Sequence, residues 1–312
     1  VPALLAAVLG VSVGSIVVAA PGPTPGGVDR AEGSRAETPR VPASRRLAAR
    51  VDLAKIVLPS DDRTFRPTVV VRRGPSQGSG TIIATVEGET LVLTASHVIR
   101  GPGTISVELH RYNLGLERIP ATPGAWPRSI AAEVVAIDRA ADLAVLRIEG
   151  LAALPYVARL AGSRRELAVD SIVTSIGIDL GRHLSSWSTP MVEALWFELN
   201  DNREERLFFI TARAPEHGRS GGGLFLPDGE LVGVCIGYTE LFRGRRQGVF
   251  ASRESIRQLL VDHELTSLIA RSELRRTRVV RQASLRPGAG GRDSEVPSSS
   301  AVTPTDAVGA RR

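Results

Sequence analysis

The stretch His217-Gly-Arg-Ser-Gly-Gly-Gly223 sets a single serine, Ser220, among glycines and ahead of an apolar run. A serine hydroxyl becomes a nucleophile when a base takes its proton and fixed N–H donors receive the negative oxygen that forms. Glycines on both sides let the backbone adopt dihedrals that turn the N–H groups of Gly218 and Ser220 into one cavity. The bland reading of the same residues is a glycine-rich hairpin turn. A base is offered by His97, delivered by the apolar run Leu91-Val-Leu-Thr-Ala-Ser onto small residues. Orientation of that base needs a carboxylate, and Asp142 opens the apolar run Leu143–Ile148, where a charge near buried surface needs a partner. Asp138, four residues earlier, is its rival. Each element also has a structural reading: a backbone-satisfied histidine and a solvated turn aspartate.

Gly218-x-Ser220-x-Gly222 also fits the nucleophile elbow of α/β-hydrolases. That fold requires the acid and the histidine to follow the serine. Only His263 follows Ser220, and Gly223 to Ile236 reads as strands, so chain order opposes it. The histidines (His97, His110, His183, His217, His263) match no metal-ligand spacing, and neither metal nor cofactor is expected. The single cysteine, Cys235, precludes an internal disulfide and reads as a buried strand residue.

The elements that must position these groups are short apolar runs bounded by turn residues. They include Val69–Val71, Thr81–Ala84, Leu91–Thr94, Ile105–Leu109, Ala132–Ile137, Leu143–Ile148, Ile172–Ile178, Leu195–Leu199, Arg206–Thr211 and Leu231–Ile236. This spacing predicts an all-β protein. Helical periodicity is strong only in Ser252–His263, with Ser252 as N-cap. A dozen or so strands and one C-terminal helix suit a pair of small barrels and not alternating β and α units.

Gly78-Ser-Gly-Thr-Ile-Ile83, Leu93-Thr-Ala-Ser-His-Val98, Asp142-Leu-Ala-Val-Leu146 and Gly218-Arg-Ser-Gly-Gly222, in that order, resemble the signature blocks of trypsin-like serine peptidases. The likeness is in particular to the bacterial HtrA-like type. The resemblance implies two six-stranded antiparallel β-barrels of chymotrypsin-like kind, with a cleft between them and the division between Asp142 and Ser220. It implies His97, Asp142 and Ser220 as catalytic triad, with Asp142 preferred over Asp138. The oxyanion hole would be Gly218 and Ser220. It places the substrate-side wall at Ala214 and at Ile236 and Gly237, and the small, neutral Ala214 suits a small or medium aliphatic residue before the scissile bond. HtrA-type proteins carry a PDZ domain after the protease. The chain beyond Leu260 is too short and polar for one, so trimer assembly is not carried over. The activity implied is serine endopeptidase action on unfolded or exported polypeptides through an acyl-enzyme. The other reading is a protease-fold binding or scaffold protein without turnover.

Composition bounds the remainder. With 43% hydrophobic and 23% charged residues, the 312-residue chain can bury a core without staples. The net charge of +6 is carried almost wholly by arginine, Lys55 being the single lysine. Aromatics are only 4%, so bases would find few stacking platforms, and a nucleic-acid partner is not expected. Residues 1–20 are uncharged and apolar and read as a signal peptide or membrane anchor, hence an exported protein. Its location would be periplasmic, extracellular or tethered to the outer face of the cytoplasmic membrane. Residues 21–52 read as a flexible linker, 53–265 as the peptidase domain, and 266–312 as a disordered basic and Ser/Pro-rich tail.

Overall fold

The computed structural model describes residues 17–18, 62–120, 122–162, 167–199, 204–240 and 245–285. The expected linker 21–52, most of the apolar segment 1–20 and the tail from 286 onward lie outside the described residues.

A first strand, β1 (Val17–Val18), is followed by seven that make one sheet. These are β2 (Thr68–Arg73), β3 (Ser76–Val86), β4 (Glu89–Ala95), β5 (Ile105–Leu109), β6 (Arg128–Ala131), β7 (Glu133–Asp138) and β8 (Leu143–Glu149). Their lateral order is β6-β5-β2-β3-β4-β8-β7. The two ends of that order, β6 and β7, are separated in sequence by Ala132 alone, whose N–H donates to the Ile105 carbonyl at 2.9 Å. One bent run therefore passes from β5 to β8 and closes the sheet as a barrel of six strand positions. Closure removes the open edges a flat sheet would leave.

After β9 (Arg159–Leu160) come β10 (Ile172–Asp179), β11 (His183–Glu198), β12 (Glu205–Thr211), β13 (Gly223–Phe225), β14 (Glu230–Thr239) and β15 (Gln247–Ser252). The order β14-β13-β10-β11-β12-β15, with β14 and β15 also paired, is a closed ring of six. β1 and β9 attach to β14 from outside the ring. The segment 180–190 is mostly strand. A tight turn with Leu180 and Gly181 at positive φ hands β10 directly to β11.

Alternation accounts for the strands of the second barrel. Phe208, Val234, Ile236, Val249 and Ala251 join the large core that also takes in the first barrel. Their sequence neighbours Phe209, Cys235 and Phe250 point the other way, into a separate cluster around Trp187 and Met191. Strands buried on both faces read as continuous apolar runs, as they do here.

Helix α1 (Arg253–Asp262) starts where the sequence puts it: the Ser252 hydroxyl accepts the Ser255 N–H at 3.3 Å, and Ile256, Leu259 and Leu260 are buried. The segment from 266 was expected to be a disordered tail, but it begins with helix α2 (Thr266–Leu285). Leu265, Leu268 and Ser272 are buried at helical spacing, and the Ser272 hydroxyl accepts the Thr85 N–H of β3 at 2.9 Å. The density of arginine obscured this narrow apolar stripe.

Candidate active site

Ser96 to Ile99 form a single 3-10 turn directly after β4, which sets His97 at the barrel rim. Asp142 stands just before β8, the neighbour of β4, with φ of 55°, and is fully buried. This left-handed backbone turns its carboxylate back over the 3-10 turn. One oxygen accepts the Ser96 hydroxyl at 2.5 Å and the His97 N–H at 2.9 Å. The other faces His97 Nδ1 at 2.5 Å. The exposed Arg100 guanidinium stands 3.6 Å from the first oxygen. Asp138, the rival, is engaged elsewhere: one oxygen accepts the N–H groups of Ala140 and Ala141, and the other accepts Arg206 Nε at 3.0 Å. The ring is thus held through Nδ1, while Nε2 is buried without a hydrogen-bond partner among the described residues.

The Ser220 turn meets this arrangement through β3. A Cβ at Gly78 would lie 2.6 Å from Val98 Cγ2 and 2.8 Å from the Ser220 carbonyl oxygen; one at Gly221 would lie 3.0 Å from Ala95 N. Gly221 has φ of 85° and Gly218 has φ of 89°, and both pack too tightly for any side chain. The turn is fixed peptide by peptide. The His217 carbonyl accepts Leu180 N–H at 2.6 Å, and the Arg219 carbonyl accepts Gly222 N–H at 2.8 Å. In a trans peptide the N–H points opposite to the C=O. The N–H groups of Gly218 and Ser220 are therefore aimed by these two bonds, and neither finds an acceptor among the described residues.

Sequence reasoning overlooked two residues here. Ser79, the middle residue of the Gly78-x-Gly80 block, donates its N–H to the Ser220 carbonyl at 2.7 Å and its hydroxyl to the Gly218 carbonyl at 2.8 Å. Arg219 is completely buried and paired with Asp179. Neither had a signal beyond its place in a glycine-flanked block.

Of the expected substrate wall, Ala214 is half-buried beside the turn and Gly237 lies in β14. Ile236 differs from the expectation. Its side chain is fully buried in the core, so it can offer a ligand only backbone. One edge of β14 is taken in succession by three partners. β13 holds it through Val234, and then Gly221 N–H donates to the Cys235 carbonyl and Cys235 N–H to the Gly222 carbonyl, each at 2.8 Å. β1 follows, with Val18 opposite Gly237 and Val17 opposite Tyr238. An extended segment on that edge is thus collinear with the Ser220 turn.

A family model described as a trypsin-like peptidase domain matches residues 78–234, half of the chain. The chain belongs to the trypsin-like peptidase family. Two curated relatives are similar to this trypsin-like peptidase. The serine protease Do-like HtrA of Bacillus subtilis is 28% identical over 164 residues, 50% of this chain and 32% of that one. A probable periplasmic DegP-like serine endoprotease of Hahella chejuensis is 32% identical over 167 residues, 52% and 31% respectively. The chain thus spans about a third of the length of these relatives. Among solved structures, the Rv3671c protease of M. tuberculosis matches in its active form with a TM-score of 0.51 at 19% identity. That match covers 74% of this chain and 93% of the other. A mutant inactive form of the same protein gives 0.52 at 19% identity, covering 68% and 94%. These matches bear on the fold.

Cys235, on β14 and inside the second barrel, is fully buried, and burial pushes its thiol up to about 12. A neutral, enclosed thiol is a packing group and not a rival nucleophile. In the native protein it should resist an aromatic disulfide reagent at mildly alkaline pH and react stoichiometrically once unfolded. Native-state reaction at the rate of a free thiol would contradict this.

Proposed function

We propose that the chain is a serine endopeptidase in which Ser220 attacks the scissile carbonyl, with His97 as base and then acid. Asp142 holds the imidazole in the tautomer that leaves Nε2 free to accept the serine proton, and stabilises the imidazolium that follows. The N–H groups of Gly218 and Ser220 receive the oxyanion. The observation that carries this reading is the pairing of an engaged Nδ1 with an unpartnered Nε2, beside a turn that aims two free N–H groups. The acyl-enzyme then forms by loss of the amine, which takes its proton from His97, and water hydrolyses it by the same route.

An extended polypeptide is the substrate class that suits the edge of β14 at Gly237 and Tyr238. A peptide there adds a strand by backbone hydrogen bonds and runs into the Ser220 turn. Ala214 beside the turn suits a small aliphatic residue before the scissile bond. For the whole protein we propose export, with residues 1–20 as signal or tether. Among the described residues no helix is long and apolar enough to cross a membrane. Pairing of Val17 and Val18 with β14 and insertion of the same segment into a bilayer exclude each other in one molecule.

A fluorophosphonate probe tests the chemistry. It should label Ser220 in the wild type and fail in His97→Ala, and Asp142→Asn should slow turnover by on the order of 10⁴-fold. A folded wild type that neither labels nor cleaves any unfolded protein would be a binding or scaffold protein instead. A substrate strand must also displace β1. The full-length double variant Val17→Pro/Val18→Pro, which lacks the N–H of whichever of the two alternating positions donates to β14, should therefore show a several-fold lower KM for a short peptide at unchanged kcat. Equal KM values would show that this edge is not the substrate's.

A further inference from the structure

We infer that the Arg219–Asp179 ion pair is the positioning device for the oxyanion-binding N–H groups, an inference that rests on the endopeptidase reading above. Arg219 lies between Gly218 and Ser220, where an arginine on an exposed turn would project into solvent. Here it is turned inward and has no solvent exposure. Its stem passes over Gly177, where a Cβ would come within 2.8 Å of Arg219 Cγ. Nε donates to Asp179 Oδ1 at 2.9 Å and Nη2 to Asp179 Oδ2 at 2.8 Å, the two-pronged geometry of a guanidinium fork on a carboxylate, which a lysine ammonium does not make. Nη1 donates to the Ser175 carbonyl at 3.1 Å, and Nη2 also meets the Ser185 hydroxyl. The Trp187 ring covers the guanidinium at 5.2 Å. Every nitrogen of the group is engaged, so the side chain has one orientation.

The position of Asp179 makes this more than a buried charge pair. The next residue is Leu180, whose N–H fixes the His217–Gly218 peptide. Arg219 itself supplies the carbonyl that, held by Gly222, fixes the Arg219–Ser220 peptide. The ion pair therefore clamps together the two chain segments whose backbone bonds aim Gly218 N–H and Ser220 N–H. A second tie comes from Ser79, which binds the carbonyls of Gly218 and Ser220 but leaves both of those N–H orientations to the clamp. Arg219 touches no reacting atom; it acts through the turn.

A buried ion pair can usually be replaced by uncharged groups with little loss of stability, whereas removal of one partner strands the other. That separates positioning from folding. The test compares the full-length wild type, Asp179→Asn, Arg219→Met/Asp179→Asn and Arg219→Lys. It reads the denaturation midpoint, the fluorophosphonate labelling rate at Ser220, kcat and KM on a cleaved peptide, and hydrogen exchange of residues 217–221. In the folded double variant the labelling rate and kcat should fall at least tenfold, KM should change little, and exchange of the turn should rise. Arg219→Lys keeps the charge but loses the fork, and should lie between. Wild-type labelling in either folded variant, whatever its exchange, would overturn the inference. A wild type that never labels would instead remove the endopeptidase reading, and unchanged exchange at 217–221 in Asp179→Asn would then overturn the clamp on its own.

Discussion

Ser79 belongs to β3 of the first barrel, yet most of its polar groups are spent on the second. Its N–H holds the Ser220 carbonyl, its hydroxyl holds the Gly218 carbonyl, and that same hydroxyl accepts Ile178 N–H of β10 at 2.8 Å. Its own carbonyl accepts the Thr94 hydroxyl at 2.7 Å, near the end of the strand that leads to His97. The residue is fully buried, so each of these groups would be left without water if the contact opened. An unsatisfied buried group costs about 1–3 kcal/mol. The junction therefore couples the Ser220 turn to the His97 strand across two barrels, and neither barrel alone could set that spacing. Gly78 and Gly80 on either side follow from it, since a Cβ at Gly78 would strike Val98 and one at Gly80 would strike Val92.

On the other side of the site the constraint is local and strained. Asp142 adopts a left-handed backbone that costs a non-glycine residue about 1–3 kcal/mol. Three donors converge on its carboxylate, and its carbonyl accepts Ser96 N–H at 2.8 Å. Hydrogen bonds to an ionised acceptor are roughly twice as strong as neutral ones, so this set offsets both the strain and the burial of charge. The same contacts that orient the imidazole also lock the 3-10 turn, so ring position and backbone position are set together. Asp138 could not do this: its Asx turn onto Ala140 and Ala141 shapes the approach to Asp142 and leaves its free oxygen to Arg206.

Much of this was legible in the sequence because it depends on short-range pattern. The strands leading to His97 and from Asp142 show as apolar runs between turn residues, and the Ser252 cap shows in the residues around it. The barrels follow from strand count and turn spacing. Other features depend on partners far apart in sequence, and no local pattern carries them. Arg219 and Asp179 are 40 residues apart, and Ser79 and Gly218 are 139 apart. In a chain so rich in arginine, one more at a turn looks like surface. The same bias hid α2, whose buried Leu268 and Ser272 are spaced among arginines. Ile236 misled for the opposite reason. Placed in the wall by resemblance, its side chain follows the strand alternation and belongs to the core.

The arginines also change how the positive charge should be understood. Arg66 is nearly buried beneath Tyr156, with a two-pronged bond to Glu117 at 2.7 and 3.1 Å that holds its guanidinium well above its usual range. It also donates to the Tyr112 carbonyl at 2.8 Å, pinning a turn whose Asn113 amide reaches back to the Arg66 and Thr68 carbonyls. Arg206 bridges Asp138 and Glu204, and Arg147 pairs with Glu89 across β8 and β4. A planar guanidinium can be buried while keeping its charge, because its N–H groups fan out to several acceptors at once. Lysine would lose most of those bonds and would titrate more readily. Part of the basic composition is therefore internal scaffolding, with Arg219 its most enclosed instance. A count of arginines taken from the sequence therefore overstates the free cations this domain offers a polyanion, because these guanidinium groups are already committed to carboxylates and carbonyls of the fold.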